Sequence, residues 1–245
     1  MIPAAGQGTR IKDLPFARIL PKPMLPLQDK PILEYIVLNM KKMHVSRIVM
    51  VVGPQKELIT KYFADGREWG ISIDYVEQKE PKGIANAISL TRDLIDEPFV
   101  VMLGDDVTVA SSFDNLQRSF WRRKAWALEA AVKEIDADVL KRTCCLSLDN
   151  ESRILRIEEK PLNPATSIRG TGIYLFDPIV FDYIDRTPRL PPRQEVEITN
   201  TLNLMAKDGR AFAEYLNGVN FNVNTSDDYS AASMYLFRHR FDDRS

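Results

Sequence analysis

The first half of the chain alternates between continuous apolar runs and segments in which apolar side chains recur at helical spacing. The apolar runs predict strands buried on both faces of a parallel sheet, at 47–53, 71–78 and 98–106. The helical pattern covers residues 31–43 and 83–95, and Pro31 suits the first helical position. Strands that alternate with helices indicate right-handed βαβ units in an open parallel sheet.

The second half of the chain changes to short, closely spaced strands. Alternating or apolar patterns predict strands at 125–135, 145–148, 153–160 and 170–177. Helical patterns return at 196–209, which ends at Gly209, and at 226–241. We therefore predict an α/β fold with a Rossmann-like mixed, mainly parallel sheet flanked by helices, and a small β-rich subregion. Because no linker, repeat or low-complexity tract interrupts the sequence, we expect a single domain over 1–245.

Composition and charge narrow the class of protein. The 245 residues carry a formal net charge of −1, which argues against a general nucleic-acid or membrane-surface binder. No apolar run approaches the ~20 residues that span a bilayer, and no signal peptide is evident. Cys144 and Cys145 are adjacent, which disfavours a disulfide between them and favours a reducing compartment. We expect a cytoplasmic protein without nucleic-acid or membrane partners, and leave a homo-oligomer open.

A glycine-rich stretch, "IPAAGQGTR" at 2–10, follows the first predicted strand. The dinucleotide fingerprint would need a third glycine where Ile11 stands, and the ATP-type loop would need a Lys-Ser/Thr pair. A plain tight turn is one reading. The other is a long loop that wraps a triphosphate with backbone N–H groups, while Arg10 and Lys22 neutralise its charge.

Two carboxylates end the buried strand at 98–106, in the stretch "LGDD". Asp105 and Asp106 are common cap or turn residues when taken alone. At the carboxyl edge of a parallel sheet, where such folds bind ligands, they also suit Mg²⁺. This ion takes one or two carboxylates together with substrate phosphates.

Seven motifs in sequence order resemble those of the sugar-1-phosphate nucleotidylyltransferases: AAGQGTR, PKPMLPLQDKPILEY, EQKEPKGIANAI, LGDD, IEEKP, GTGIYLFD and EVEITN. The resemblance is nearest to the glucose-1-phosphate thymidylyl/uridylyltransferase group. It implies transfer of a nucleotidyl group from a nucleoside triphosphate, with dTTP or UTP favoured, to a sugar 1-phosphate, with glucose 1-phosphate favoured. Pyrophosphate leaves, a nucleotide sugar forms, and Mg²⁺ is the cofactor. The alternative is a non-catalytic regulatory or scaffold relative that binds nucleotide sugars or a protein partner.

The resemblance also implies roles for individual residues, with a nucleotide-binding half at about 1–124 and a sugar-binding half at about 125–245. Arg10 and Lys22 would be catalytic, and Asp105 and Asn222 would hold the metal. The nucleotide would be bound by Ala5, Gly6, Gly8, Thr9, Gln78 and Gly83, the last lying where a side chain would collide with the base. The sugar phosphate would be bound by Glu159, Lys160, Thr171 and Gly172.

The sequence departs from the family pattern at three places. Asn222, in "NVNTSDDY", stands where the pattern D-x-G-T-x-x-D-Y has its first aspartate, which predicts a weaker metal site, helped by Asp106. Cys144 stands where a glycine is common, and would narrow the sugar pocket. The first strand is short, so we expect Met1 to pair in the sheet if the glycine-rich loop is to be held.

Overall fold

The computed structural model describes residues 1–6, 19–189 and 195–239. In these ranges the strands, in chain order, are β1 Ile2–Ala4, β2 Pro26–Leu27, β3 Lys30–Pro31, β4 Arg47–Val52, β5 Ser72–Glu77, β6 Phe99–Met102, β7 Asp106–Ala110, β8 Ala127–Lys133, β9 Cys144–Leu148, β10 Ile154–Glu159, β11 Ile168–Phe176, β12 Ala211–Tyr215 and β13 Gly218–Asn222. The α-helices are α1 Ile32–Lys42, α2 Glu57–Phe63, α3 Ile84–Ser89, α4 Asp114–Arg123, α5 Ala137–Arg142, α6 Val180–Arg186, α7 Ile198–Lys207 and α8 Ser226–His239.

The chain forms two compact units, which are described separately. Unit 1 comprises Met1–Pro81, Met102–Ser112 and Gly218–Ser245. Unit 2 comprises Lys82–Val101 and Phe113–Asn217.

Unit 1 is built on a parallel sheet with the strand order β1-β4-β5. After its first residue, β4 is buried throughout, which explains its continuous apolar sequence. Met1 is buried, and its carbonyl oxygen accepts a hydrogen bond from Met102 N at 3.2 Å, so the expected pairing of Met1 is confirmed. In a separate antiparallel pair, β13 runs beside β7 with Asn222 opposite Asp106.

Unit 2 is built on a mixed sheet with the order β10-β9-β11-β8-β12, in which β6 also pairs with β11. The β10–β9, β9–β11 and β11–β8 pairs are antiparallel, whereas β12 runs parallel to β8. Helix α7 packs against β10. The antiparallel additions expected for the second half are therefore present.

The predicted fold class, a mixed α/β protein with a parallel sheet and helices, is confirmed. Each predicted strand and helix has a counterpart, but the helix predicted over 83–95 ends at Ser89 and is followed by a separate 3-10 turn over Arg92–Leu94. Pro31 is a correction: it is the extended residue before α1, and the helix begins at Ile32. Five strands of the described residues are absent from the expectation: β2, β3, β7, β12 and β13. Of these, β2 pairs with β3, β13 pairs with β7, and β12 pairs with β8.

Candidate functional site

The glycine-rich stretch is described only at its start, and Gly8, Thr9 and Arg10 lie outside the described residues. Ala5 and Gly6 directly follow β1 at the carboxyl edge of the unit 1 sheet. Gly104, in the "LGDD" turn, donates its N–H to the Pro3 carbonyl at 3.1 Å. The start of the glycine-rich stretch and the acidic turn therefore lie side by side in unit 1.

Lys22 is the centre of a polar network in unit 1. Although the residue is only 6% exposed, its Nζ donates to Asp105 Oδ2 at 2.6 Å and to Asn224 Oδ1 at 2.7 Å. A buried ammonium needs such partners, because burying an unpaired charge costs on the order of several kcal/mol. The network thus brings together one residue predicted to be catalytic and one predicted to hold metal.

Asn222 is held by side chains on both sides. Its Nδ2 donates to Asp106 Oδ1 at 2.7 Å, and its Oδ1 accepts a hydrogen bond from Asn224 Nδ2. Asn224 in turn is fixed by its backbone N–H, which donates to Asp228 Oδ2 at 3.1 Å, just inside α8. Sequence reasoning missed Asn224, which occupies the glycine position of the D-x-G-T pattern.

The residues around Lys22 fit a hard divalent cation. The available donors are the carboxylate oxygens of Asp105 and Asp106 and the amide oxygen of Asn222, and oxygen ligands are those that Mg²⁺ prefers. In the described ranges, no group of three or more His, Cys, Asp or Glu side chains could hold a metal. An ion held by two carboxylates and one amide oxygen would draw its remaining ligands from substrate phosphates and water.

Gln78 and Gly83 belong to different units. Gln78 is buried at the end of β5 in unit 1, where its N–H donates to Val52 O at 2.8 Å. Gly83, in unit 2, has φ +91°, and a Cβ there would lie 2.6 Å from Val196 O. The protein backbone therefore already requires glycine at 83, and the expected close approach of a nucleotide base stays a prediction.

Glu159 and Lys160 end β10 in unit 2 and form an ion pair. The distance from Lys160 Nζ to Glu159 Oε1 is 3.1 Å. Lys160 has φ +47°, a conformation that costs a non-glycine residue about 1–2 kcal/mol. Its N–H donates to Thr143 O at 2.6 Å, which holds this turn. Backbone strain of this kind is common where a side chain must be aimed at a ligand.

Thr171 and Gly172 lie in β11 where its pairing with β8 shifts register. The Thr171 hydroxyl donates to Ala130 O at 2.9 Å, and Gly172 has φ +69°. The hydroxyl of Thr171 therefore fixes the irregularity of the strand, and Gly172 permits it.

Sequence reasoning missed Glu129, a fully buried carboxyl group on β8. Its Oε1 lies 4.0 Å from Cys144 Sγ, and its Oε2 has no hydrogen-bond partner. Burial, together with the negative charge of Glu159, raises the pKa of Glu129 to about 8. The same surroundings raise the pKa of the Cys144 thiol. A single charged residue within an otherwise apolar strand, "ALEAAV", was the available signal.

Comparison with known proteins gives matches along nearly the whole chain. Residues 1–237 match the family described as "Nucleotidyl transferase". A Haloferax volcanii UTP–glucose-1-phosphate uridylyltransferase, AglF, is 31% identical over 234 residues, which cover 95% of this chain and 94% of that protein. A Staphylococcus haemolyticus UTP–glucose-1-phosphate uridylyltransferase is 29% identical and is covered over 86% of its length.

A solved structure of a UDP-glucose pyrophosphorylase complexed with UDP-glucose is similar to this chain, with a TM-score of 0.84 and 26% identity. The match covers 97% of each chain. Among the described residues, no helix is both long and apolar enough to cross a membrane.

Proposed function

Because this chain belongs to the nucleotidyl transferase family, we propose that it transfers a nucleotidyl group from UTP or dTTP to glucose 1-phosphate. The products are a nucleotide sugar and pyrophosphate. The observation that carries the proposal is the buried Lys22 ammonium, held between Asp105 and Asn224 at the carboxyl edge of the unit 1 sheet. Relatives named as uridylyltransferases for glucose 1-phosphate support the choice of substrates.

The reaction is an in-line displacement at the α-phosphorus. An oxygen of the sugar phosphate forms a bond to this phosphorus as the bond to the pyrophosphate oxygen breaks. Both reactants are polyanions, so the protein's task is to align them and to neutralise charge. No covalent intermediate with the protein is required.

Lys22 would donate hydrogen bonds to the α-phosphate oxygens. Asp105 and Asn224 already orient its ammonium, so little reorganisation is needed when a phosphate replaces one of these acceptors. Arg10 would neutralise the phosphates from the glycine-rich stretch, with Gly8, Thr9 and the start at Ala5 and Gly6 supplying backbone contacts. Gln78 would read the base, since its amide offers both a donor and an acceptor.

Asp105 and Asn222 would hold Mg²⁺, with Asp106 supporting Asn222 through the 2.7 Å hydrogen bond. The bound ion supplies charge neutralisation of the phosphates. In the structure, an oxygen of Asp105 and the amide oxygen of Asn222 accept hydrogen bonds from Lys22 and Asn224, respectively.

On the sugar side, Glu159 would accept hydrogen bonds from sugar hydroxyl groups, and Lys160 would pair with the sugar phosphate. The left-handed backbone of Lys160 supports this role, because the strain has to be sustained by the surrounding structure. Thr171 and Gly172 would border the same pocket.

The proposal is tested by measuring pyrophosphate release with Mg²⁺, glucose 1-phosphate and each triphosphate in turn. We expect release with UTP or dTTP and none when the sugar phosphate is omitted. Absence of release with every combination of triphosphate and common sugar phosphate would contradict the proposal and favour a non-catalytic relative.

A further inference from the structure

Four residues of unit 2 form a row across one face of its sheet. Glu159 on β10 lies opposite Cys144 on β9, and the register of β9 with β11 sets Cys144 beside Gly170. Glu129, on the next strand, reaches toward Gly170 on the same face. The row runs from Glu159, whose side chain is 33% exposed, to Glu129, which is fully buried.

Gly170 is the point at which the Glu129 carboxyl group meets this row. A Cβ at Gly170 would lie 1.9 Å from Glu129 Oε1 and 2.9 Å from Cys144 Sγ. No side chain fits there without displacing the carboxyl group. The glycine therefore leaves room for a carboxyl group between the strands. This position is beside Thr171 and Gly172, which are predicted to bind the sugar phosphate.

The carboxyl group of Glu129 lacks the partners that burial normally demands. Its Oε2 accepts no hydrogen bond, and no ion pair in the described part of the chain involves this residue. Among charged groups, the negative charge of Glu159 has the largest effect on the pKa of Glu129, which it raises. A buried carboxylate without a cation is costly, so burial favours the protonated form of this group, and a cationic ligand group would stabilise the ionised form.

We propose that Glu129 and Glu159 select a sugar 1-phosphate that carries a free amino group, with Glu129 as the acceptor at the floor of the sugar pocket. This inference rests on the proposed nucleotidyl transfer to a sugar 1-phosphate, and it changes the preferred acceptor from glucose 1-phosphate to the corresponding amino sugar. An ammonium group brings one positive charge and three donors, which suit two carboxyl groups with an unsatisfied oxygen. A hydroxyl group brings one donor and no charge, and an acetamido group brings no charge and more bulk.

The test compares three sugars of the same configuration: glucosamine 1-phosphate, glucose 1-phosphate and N-acetylglucosamine 1-phosphate. We expect kcat/KM for the amino sugar to exceed that for each of the others by about tenfold or more, as for one added charge-assisted hydrogen bond. No preference, or a preference for either uncharged sugar, would overturn the inference.

Two variants separate the role of Glu129 from a general effect on the fold. Glu129→Gln keeps the shape but cannot ionise to pair with the ammonium group, and should bring the ratio of amino sugar to glucose 1-phosphate close to one. Gly170→Ala should do the same, because its Cβ displaces the carboxyl group. Glu151→Gln alters an exposed side chain of the same unit and should leave the ratio unchanged. If either of the first two variants folds and retains the preference, the inference is wrong.

A binding measurement makes the test independent of turnover. If no sugar yields pyrophosphate, the proposed function fails. The shift in Tm of the wild-type protein with each of the three sugar phosphates then still decides the inference. The largest shift with glucosamine 1-phosphate supports it, whereas equal or absent shifts overturn it.

Discussion

The Lys22 ammonium lies 2.6 Å from Asp105 Oδ2, although the two residues are 83 positions apart in the chain. The cation expected to contact the α-phosphate and the carboxylate expected to hold Mg²⁺ are thus each other's partners. Binding of metal and triphosphate would exchange this ion pair for contacts with the ligands. The two residues should therefore not behave independently in mutagenesis.

Asp105→Asn should reduce the rate of nucleotidyl transfer by about 10² and raise the Mg²⁺ concentration needed for half-maximal rate, because it removes a charged ligand and a partner of Lys22. Initial rates measured against Mg²⁺ concentration check this. Asp74→Asn is the matched control, since Asp74 is exposed and pairs with Arg47. A Mg²⁺ curve for Asp105→Asn that matches this control would remove Asp105 from the metal site.

Asn222→Asp should place a second negative charge next to Asp106, whose Oδ1 is now 2.7 Å from Asn222 Nδ2. We expect Tm to fall without Mg²⁺, because two carboxylates then repel each other, and to recover with Mg²⁺. The half-saturating Mg²⁺ concentration should also decrease. Thermal melts and rates with and without Mg²⁺ test this; if neither changes, Asn222 does not contribute to metal binding.

We predict from the raised pKa of Glu129 that the free energy of unfolding decreases as pH rises. Burial raises its pKa from the usual 4.5 to about 8, so between these values the folded protein binds a proton that the unfolded chain has released. This contribution to the free energy of unfolding is complete below about pH 4.5 and is lost as pH rises to about 8. The slope is at most about 1.4 kcal/mol per pH unit.

Denaturant unfolding of the wild type and of Glu129→Gln across this pH range isolates that contribution, because other titrating groups are common to both. The free energy of unfolding of the wild type should fall relative to the variant as pH rises. A difference that stays constant with pH would mean that Glu129 ionises normally in the folded protein.

Asn203 protects the outer strand of the unit 2 sheet. Its Oδ1 accepts from Ile157 N at 2.9 Å and its Nδ2 donates to Ile157 O at 2.7 Å, so one side chain satisfies both backbone groups. Asn203→Ala should lower the free energy of unfolding by about 2–3 kcal/mol, as expected for two lost hydrogen bonds at a half-buried site. Asn115→Ala removes a single exposed bond to Tyr215 O and should cost less. Equal losses in denaturant melts would contradict this role.

The strands and helices with strong periodicity could be predicted from the sequence, whereas those defined by pairing could not. The apolar run at β4 is buried on both faces, so its composition alone predicts a buried strand. By contrast, β13 has the sequence GVNFN, and its polar side chains Asn220 and Asn222 donate hydrogen bonds across the pair with β7. Such a strand depends on its partner, and short polar strands carry little local signal.

The residues of the candidate site likewise fall into those that could be predicted from the sequence and those that could not. Lys22 and Asp105 could be proposed because a cation and a carboxylate follow the ends of predicted strands. Asn224 could not, since its contact with Lys22 spans 202 positions and an amide has no distinctive pattern. The sequence singles out Gly83, but it does not reveal that Val196 is its neighbour, because tertiary structure brings the two residues together.

The central claim is that Lys22 assists transfer of the nucleotidyl group to a sugar phosphate. The most direct measurement is the incorporation of label from α-³²P-labelled UTP or dTTP into a nucleotide sugar, for the wild type, for Lys22→Ala and for Lys141→Ala, an exposed lysine paired with Asp138. We predict incorporation by the wild type and by Lys141→Ala, with a reduction of about 10² or more in Lys22→Ala. Equal incorporation in all three proteins, or none in the wild type, would contradict the account.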